Sequence, residues 1–149
     1  MPCIAGQYDP AIGLLINVLI FPTGKKPVGH LHNPPIYKAL IDTGASCTCI
    51  AQNVITQNSL VPHTKITMVS ASGNHNANAY MFHVAIATIS TGSIPPSGTV
   101  GGQLHTFNDP VQGMELLNPT GRFDVLLGMD ILKQCSFKFE FDGHFSLCW

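Results

Sequence analysis

The stretch ALIDTGAS, residues 39–46, decides the fold, because it places a carboxylate at the end of a short apolar strand. Asp and Gly are ordinary turn residues, and Asp-Thr-Gly alone is expected by chance in about a few per cent of chains of this length. A second segment, FDVLLGMDIL at residues 123–132, makes the pattern more specific. It is again an apolar strand, followed by Gly128 and a short amphipathic turn.

Length and charge exclude several classes of protein. The chain has 149 residues, which predicts one domain spanning 1–149. Seven basic and eight acidic residues give a net charge of −1, so the basic stripe that binds nucleic acid or an anionic membrane surface is missing. Because only 10% of the residues are charged, we expect a partner to cover some of the apolar surface.

The cysteines and the longest apolar run bear on location. The run at residues 11–21 is shorter than the roughly 20 residues of a transmembrane helix, and no basic region precedes it as in a signal peptide. Five cysteines, an odd number, argue against a disulfide framework. We therefore expect mostly free thiols and a soluble, cytoplasmic protein.

Strand patterns dominate, which predicts an all-β fold with one short helix near the C-terminus. The segment 12–21 is apolar on both faces, as in a strand covered on both sides. The segments 65–69 and 80–89 predict a hairpin, joined by a polar linker that bends at Gly73. Asp142-Gly143 favours a type I′ turn between two C-terminal strands. Further predictions are strands at 37–41 and 123–127, a helix within 128–134, and loops at 22–35 and 91–122, the latter with one strand near 114–117.

The two motifs, in an all-β chain, resemble those of the retropepsin-like aspartic proteases, which implies a closed β-barrel. Asp42-Thr43-Gly44 is similar to the catalytic triplet of that family, and residues 125–130 match the apolar segment packed beside it. The hairpin at 68–86 lies where the family carries its flap, and its sequence is closer to cellular and bacterial members than to viral ones. The resemblance covers roughly residues 12–149, apart from the two loops.

One Asp-Thr-Gly motif is not sufficient for this chemistry. Hydrolysis of a peptide bond by carboxylates needs one general base and one general acid. Two Asp side chains about 3 Å apart share one proton, and aspartic proteases are the established example of such a pair. Because this chain has a single such motif, we expect the second carboxylate to be Asp42 of another copy, related by a twofold axis.

The resemblance also implies roles for individual residues. Asp42 would hold the shared proton, the Thr43 hydroxyl would bond across the twofold axis, and Gly44 would let the substrate backbone approach. The substrate would be an extended peptide or protein segment that binds as an added strand. The residues expected to contact it, in the cleft or in a closing flap, are Ala45, Ser46, Ser70, Ala71, Ser72, Gly73 and Asn74.

Two positions depart from viral relatives, which typically carry a paired Asp and Arg where this chain has Ser46 and Met129. Because both charges are absent together, neither is left unpaired. The C-terminal hairpin, residues 136–149, is long and apolar enough to form the sheet of a dimer, and this is our hypothesis for self-association.

The leading hypothesis is a homodimeric aspartic endopeptidase that needs no metal or cofactor and binds neither nucleic acid nor membrane. One alternative keeps the fold without catalysis, as a dimerisation or peptide-binding module. Another is a thiol- or metal-based sensor that uses Cys47 and Cys49. Neither this pair nor His30 and His32 has the spacing of a structural zinc site.

Overall fold

The computed structural model describes residues 2–25, 34–70, 73–89, 102–117 and 120–149. These residues form eleven strands and two short helices, which confirms the all-β class. In chain order the elements are β1 (Cys3–Gln7), β2 (Leu15–Pro22), β3 (Tyr37–Ile41), β4 (Cys49–Ile50), α1 (Gln52–Gln57), β5 (Thr64–Ser70), β6 (Gly73–Ile89), β7 (Gly102–Thr106), β8 (Val111–Glu115), β9 (Val125–Leu127), α2 (Met129–Leu132), β10 (Ser136–Phe139) and β11 (His144–Cys148).

The larger sheet closes on itself as a ring of strands. Its order is β2-β3-β9-β4-β8-β6, and an additional pairing between β6 and β2 completes the ring. The pairs β3–β9 and β4–β8 are parallel, whereas the other pairs of the ring are antiparallel. β5 and β7 pair with β6 outside the ring. The closed barrel expected from the sequence corresponds to this ring.

The core fills the ring and follows the period-2 pattern of its longest strand. Tyr80, Phe82, Val84 and Ile86 of β6 are all buried in the main core cluster, as their alternation predicted. The opposite face is covered as well, since Leu19 of β2 packs in a second buried cluster with alanines of β6. The prediction that the first long strand is covered on both sides is therefore confirmed.

A second sheet, in the order β1-β11-β10, joins the two ends of the chain. Cys3 of β1 lies opposite Cys148 of β11, and the two form a disulfide across 145 residues of sequence. The expectation of no disulfide framework is wrong for this pair. An odd number of cysteines still permits one disulfide, and here only the fold brings the two cysteines together. Cys47, Cys49 and Cys135 are free thiols, and the cytoplasmic location stays a prediction.

The polar segments hold more regular structure than the sequence predicted. Residues 73–79, expected to be a linker, are the first part of β6 and pair in register with β5. The segment 91–122, expected to be loops with one strand, contains β7 and β8 in its described part, while residues 90–101 and 118–119 lie outside the described residues. The expected loop at 22–35 also lies largely outside them, at 26–33. α1, which buries Val54 and Ile55, was not predicted.

The C-terminal hairpin is present, but its turn is not type I′. That turn needs a positive φ at both central residues, and Asp142 does not have one, whereas Gly143 has a φ of 87°. The loop instead has three residues, 141–143, because the Glu140 N–H donates to the carbonyl of His144, and the Gly143 N–H donates to the carbonyl of Glu140. No helix in the described part of the chain is long and apolar enough to cross a membrane.

Candidate active site

Asp42 lies directly after β3, where the strand leaves the ring. Its backbone N–H donates to the carbonyl of Leu127, the last residue of β9, at 3.0 Å. The parallel pairing of Ile41 with Leu127 therefore brings the two sequence motifs side by side. The carboxylate stands at the edge of a buried, parallel strand pair, which fixes its position in the fold.

The turn after Asp42 holds the carboxylate through backbone groups. The N–H of Gly44 donates to Asp42 Oδ1 at 2.8 Å, and the N–H of Ala45 lies 3.3 Å from the Asp42 carbonyl oxygen. Gly44 is exposed, and a Cβ at this position would stand 3.2 Å from Asp42 Oδ1. The absence of a side chain therefore leaves the carboxylate open to a ligand.

Gly128 allows the two motifs to pack closely. A Cβ at Gly128 would lie 2.5 Å from the backbone carbon and oxygen of Cys47, closer than real Cβ atoms come. The next residue, Met129, donates its N–H to the carbonyl of Ala45 at 2.8 Å. The requirement for glycine here is steric, because the φ of Gly128 is −92°.

A side-chain network ties the segment that follows Asp42 to α2. Asp130 accepts the N–H of Thr48 at 2.9 Å and the Thr48 hydroxyl at 2.8 Å, one on each carboxylate oxygen. The same hydroxyl accepts the N–H of Gly128 at 3.3 Å. Thr48 is completely buried, so this network supplies the partners that its polar groups need away from water.

The carboxylate of Asp42 opens onto a cleft of about 940 Å³ between the ring and the β5–β6 hairpin. The wall provided by the hairpin includes Ile66, Met68 and His75, while Met114 of β8 and Leu126 of β9 supply apolar surface from the ring. Val69, near the end of β5, also borders the cleft and is 79% exposed. Such a mostly apolar groove with a few polar groups is typical of a binding site.

The structure brings part of the predicted site together. Asp42, Gly44, Ala45 and Ser46 line the cleft, and Thr43 lies beside them in a smaller pocket with Met129 and Lys133. Gly73 and Asn74 are exposed at the start of β6. Ala71 and Ser72 lie outside the described residues, as does the side chain of Ser70. The lining residues that the sequence did not indicate are Ile66, Thr67, Met68, Val69, His75, Gln112, Met114, Leu116, Leu117 and Leu126.

Two thiols also face the cleft, that of Cys47 just before β4 and that of Cys49 at the start of β4. Cys47 is partly exposed and Cys49 is buried, and both line the cleft with Asp42. A hydrogen bond from the Cys49 thiol lowers the pKa of Cys47 to about 7, while that interaction and burial raise the pKa of Cys49. Within the described residues, no group of three or more His, Cys, Asp or Glu side chains is arranged to hold a metal ion.

Comparison with known proteins identifies the fold. No family model matches the chain, and no curated protein matches it either. Among solved structures, the chain is similar to a retropepsin-like aspartic protease from Rickettsia conorii, with a TM-score of 0.59 and 15% sequence identity. The match covers 98% of this chain and 90% of that one. The chain therefore has a retropepsin-like fold, as the two motifs predicted.

Proposed function

We propose that the protein is a homodimeric aspartic endopeptidase whose catalytic centre consists of two Asp42 carboxylates, one from each chain. The observation that carries this proposal is the position of Asp42, which stands at the mouth of a long apolar cleft and is oriented by the N–H of Gly44. The retropepsin-like fold supports it, because the structural neighbour from Rickettsia conorii is an aspartic protease.

In the proposed reaction the two carboxylates share one proton. The ionised carboxylate accepts a proton from a water molecule, which attacks the carbonyl carbon of the peptide bond. The protonated carboxylate donates its proton to the carbonyl oxygen, and the resulting tetrahedral species breaks down to an acid and an amine. Gly44 contributes by leaving space for the substrate backbone beside Asp42.

The proposed substrate is an extended segment of a peptide or protein. An extended chain can lie in the cleft and form main-chain hydrogen bonds, while pockets select its side chains. The pockets here are lined by Met68, Met114 and Leu126, among others, so we expect apolar side chains near the cleaved bond. The end of the β5–β6 hairpin, including Ser70, Ala71, Ser72, Gly73 and Asn74, would close over the substrate and exclude water.

The proposed dimer uses the β1-β11-β10 sheet. Both edges of β11 are already occupied within the chain, so a second copy would pair with an outer strand of this sheet. Phe139 of β10 is 52% exposed, and Phe141, in the following turn, is completely exposed. Two exposed aromatic residues next to an unpaired strand edge are a favourable surface for self-association.

The proposal is tested by replacing Asp42 with Asn and measuring the cleavage of an unstructured protein. The matched control is Asp109→Asn, which makes the same change at an exposed carboxylate that does not line the cleft. We expect Asp42→Asn to abolish cleavage and to remain dimeric by light scattering, while Asp109→Asn cleaves like the parent. Equal cleavage by the two variants, or a parent protein that binds peptides without cleaving them, would contradict the proposal.

A further inference from the structure

We propose that Cys47 is a modification site for small-molecule disulfides, which would attach within the cleft that holds Asp42. The reaction is thiol–disulfide exchange. The Cys47 thiolate attacks one sulfur of the small disulfide, a new sulfur–sulfur bond forms to Cys47, and the other half leaves as a thiolate. The part of the proposal that concerns inhibition rests on the proposed protease function, whereas the reactivity of Cys47 does not.

Accessibility and position in the cleft together distinguish Cys47 from the other two free thiols. Cys47 is partly exposed and lines the cleft, so a small reagent can reach its sulfur from solvent. Cys49 lines the same cleft but is buried, with 6% of its surface exposed. Cys135 is also partly exposed, but it packs against the main core and does not line the cleft. A reagent that enters the cleft therefore meets Cys47 first.

The neighbours of Cys47 favour its ionised form. The neighbouring Cys49 thiol and Ser46 hydroxyl lower the pKa of Cys47, because donor groups beside a thiolate stabilise it. In the structure the Cys49 thiol donates to the Cys47 carbonyl oxygen, with a sulfur–oxygen distance of 3.9 Å, so the two residues are in direct contact. Burial and the nearby carboxylate of Asp130 oppose the lowering of this pKa, and the net pKa is about 7. Because the thiolate is the nucleophile, Cys47 is reactive near neutral pH.

Cys135 provides a contrast within the same chain. Burial raises its pKa to about 11, so its thiol stays protonated at neutral pH and reacts slowly. Cys3 and Cys148 are already joined to each other and have no thiol to exchange. Selectivity for one of the three free thiols is therefore a property of the fold.

Modification would also occupy the binding site. Cys47 shares the cleft with Asp42, Gly44 and Met114, so a group attached to its sulfur takes space that an extended peptide needs. A reducing thiol would remove the group by the reverse exchange and restore the cleft. The proposed protease would thus lose activity under oxidising conditions and regain it on reduction.

The first measurement is the reaction of the native protein with dithiodipyridine, with the labelled residue located by mass spectrometry. We expect one rapidly reacting thiol, located at Cys47, with labelling at least about tenfold faster than at Cys135. The fast phase should be absent in Cys47→Ser and unchanged in Cys135→Ser. Cys49→Ala, which removes the neighbouring thiol, should slow the labelling of Cys47 by roughly three- to tenfold. Equal rates at Cys47 and Cys135, or no effect of Cys49→Ala, would overturn the proposed reactivity.

The second measurement is the cleavage of an unstructured protein by the labelled chain. We expect activity to fall in proportion to the labelled fraction and to return, after treatment with dithiothreitol, to the activity of unlabelled protein treated in the same way. The Cys47→Ser variant should cleave at the same rate with the reagent as without it. Full activity of the labelled protein would overturn the inhibitory role. If the unlabelled parent does not cleave at all, the proposed function fails, and the labelling rates still decide whether Cys47 is the reactive thiol.

Discussion

Thr48 and Asp130 are joined by two hydrogen bonds, one from the Thr48 backbone N–H and one from its hydroxyl, at 2.9 and 2.8 Å. Asp130 also accepts the N–H of Ile131 at 3.0 Å, and the Thr48 hydroxyl accepts the N–H of Gly128. The segment that carries Asp42 is therefore fastened to the start of α2 by a continuous set of hydrogen bonds, 82 residues apart in sequence.

Removing the Thr48 hydroxyl should destabilise the protein. Thr48→Val keeps the side-chain shape but leaves the buried Gly128 N–H without its bond to the Thr48 hydroxyl, and a buried unsatisfied group costs about 1–3 kcal/mol. We expect a loss of this size in the free energy of unfolding, measured with urea. Thr64→Val, at the exposed start of β5, is the control and should change stability little. Equal effects of the two substitutions would show that the network does not stabilise the fold.

Adding one methyl group at Gly128 should be more harmful than adding one at Gly24. The Cβ of Gly128→Ala would meet the Cys47 backbone at 2.5 Å, whereas Gly24→Ala meets nothing within 4 Å and suffers only from its φ of 83°. We expect Gly24→Ala to cost about 1 kcal/mol and Gly128→Ala to cost more, because the backbone around Asp42 must move. Urea unfolding of both variants tests this, and a smaller loss for Gly128→Ala would contradict the close packing.

Reducing the disulfide between Cys3 and Cys148 should lower stability considerably. A bridge across 145 residues restricts the unfolded chain strongly, and such a loop corresponds to a stabilisation of up to roughly 5 kcal/mol in the chain-entropy model. We expect dithiothreitol to shift the urea midpoint downward. The double variant Cys3→Ser/Cys148→Ser should already have the lower midpoint and should not respond to dithiothreitol. A parent midpoint that is insensitive to reduction would refute this prediction.

Replacing the exposed aromatic residues of the C-terminal hairpin should weaken the proposed dimer. Phe139→Ser/Phe141→Ser removes apolar surface next to the edge of β10 that pairs with no other described strand, and we expect the dimer dissociation constant to rise by at least about tenfold. The control is Val61→Ser, which changes an apolar residue that is 79% exposed in another part of the molecule. Analytical ultracentrifugation gives both constants. A dimer unaffected by the double substitution would place the interface elsewhere.

The sequence predicted the strands whose apolar residues alternate, and it missed those that depend on distant partners. The sequence predicts β6 from Tyr80 onward, but Asn74, Asn76 and Asn78 resemble turn residues, so the pattern indicates a linker in the first half of this strand. In the structure the intervening residues of this polar half include Ala77 and Ala79, which are buried. β1 was not predicted, because its sequence CIAGQ has no clear alternation of apolar and polar residues and because its pairing with β11 links opposite ends of the chain.

For the candidate site, the sequence indicated the position of Asp42 and of Gly128 beside it, because both occur in local motifs. It could not indicate which residues from other strands complete the cleft. Met114 belongs to a segment interpreted mainly as loop, and it reaches the cleft only because β8 pairs with β4. The disulfide and the hydrogen bonds between Thr48 and Asp130 likewise could not be predicted from the sequence, since each depends on contacts between residues far apart in sequence.

The central claim is that two copies of Asp42 form one catalytic centre, and a purified mixed dimer tests it most directly. Parent and Asp42→Asn chains carrying different affinity tags are co-expressed, and the dimer that contains one of each is isolated by two successive affinity steps. If the centre is shared, the mixed dimer should retain at most a few per cent, on the order of 1%, of the parent's cleavage rate. A mixed dimer with about half the parent rate would show that each chain works alone, which would contradict the account.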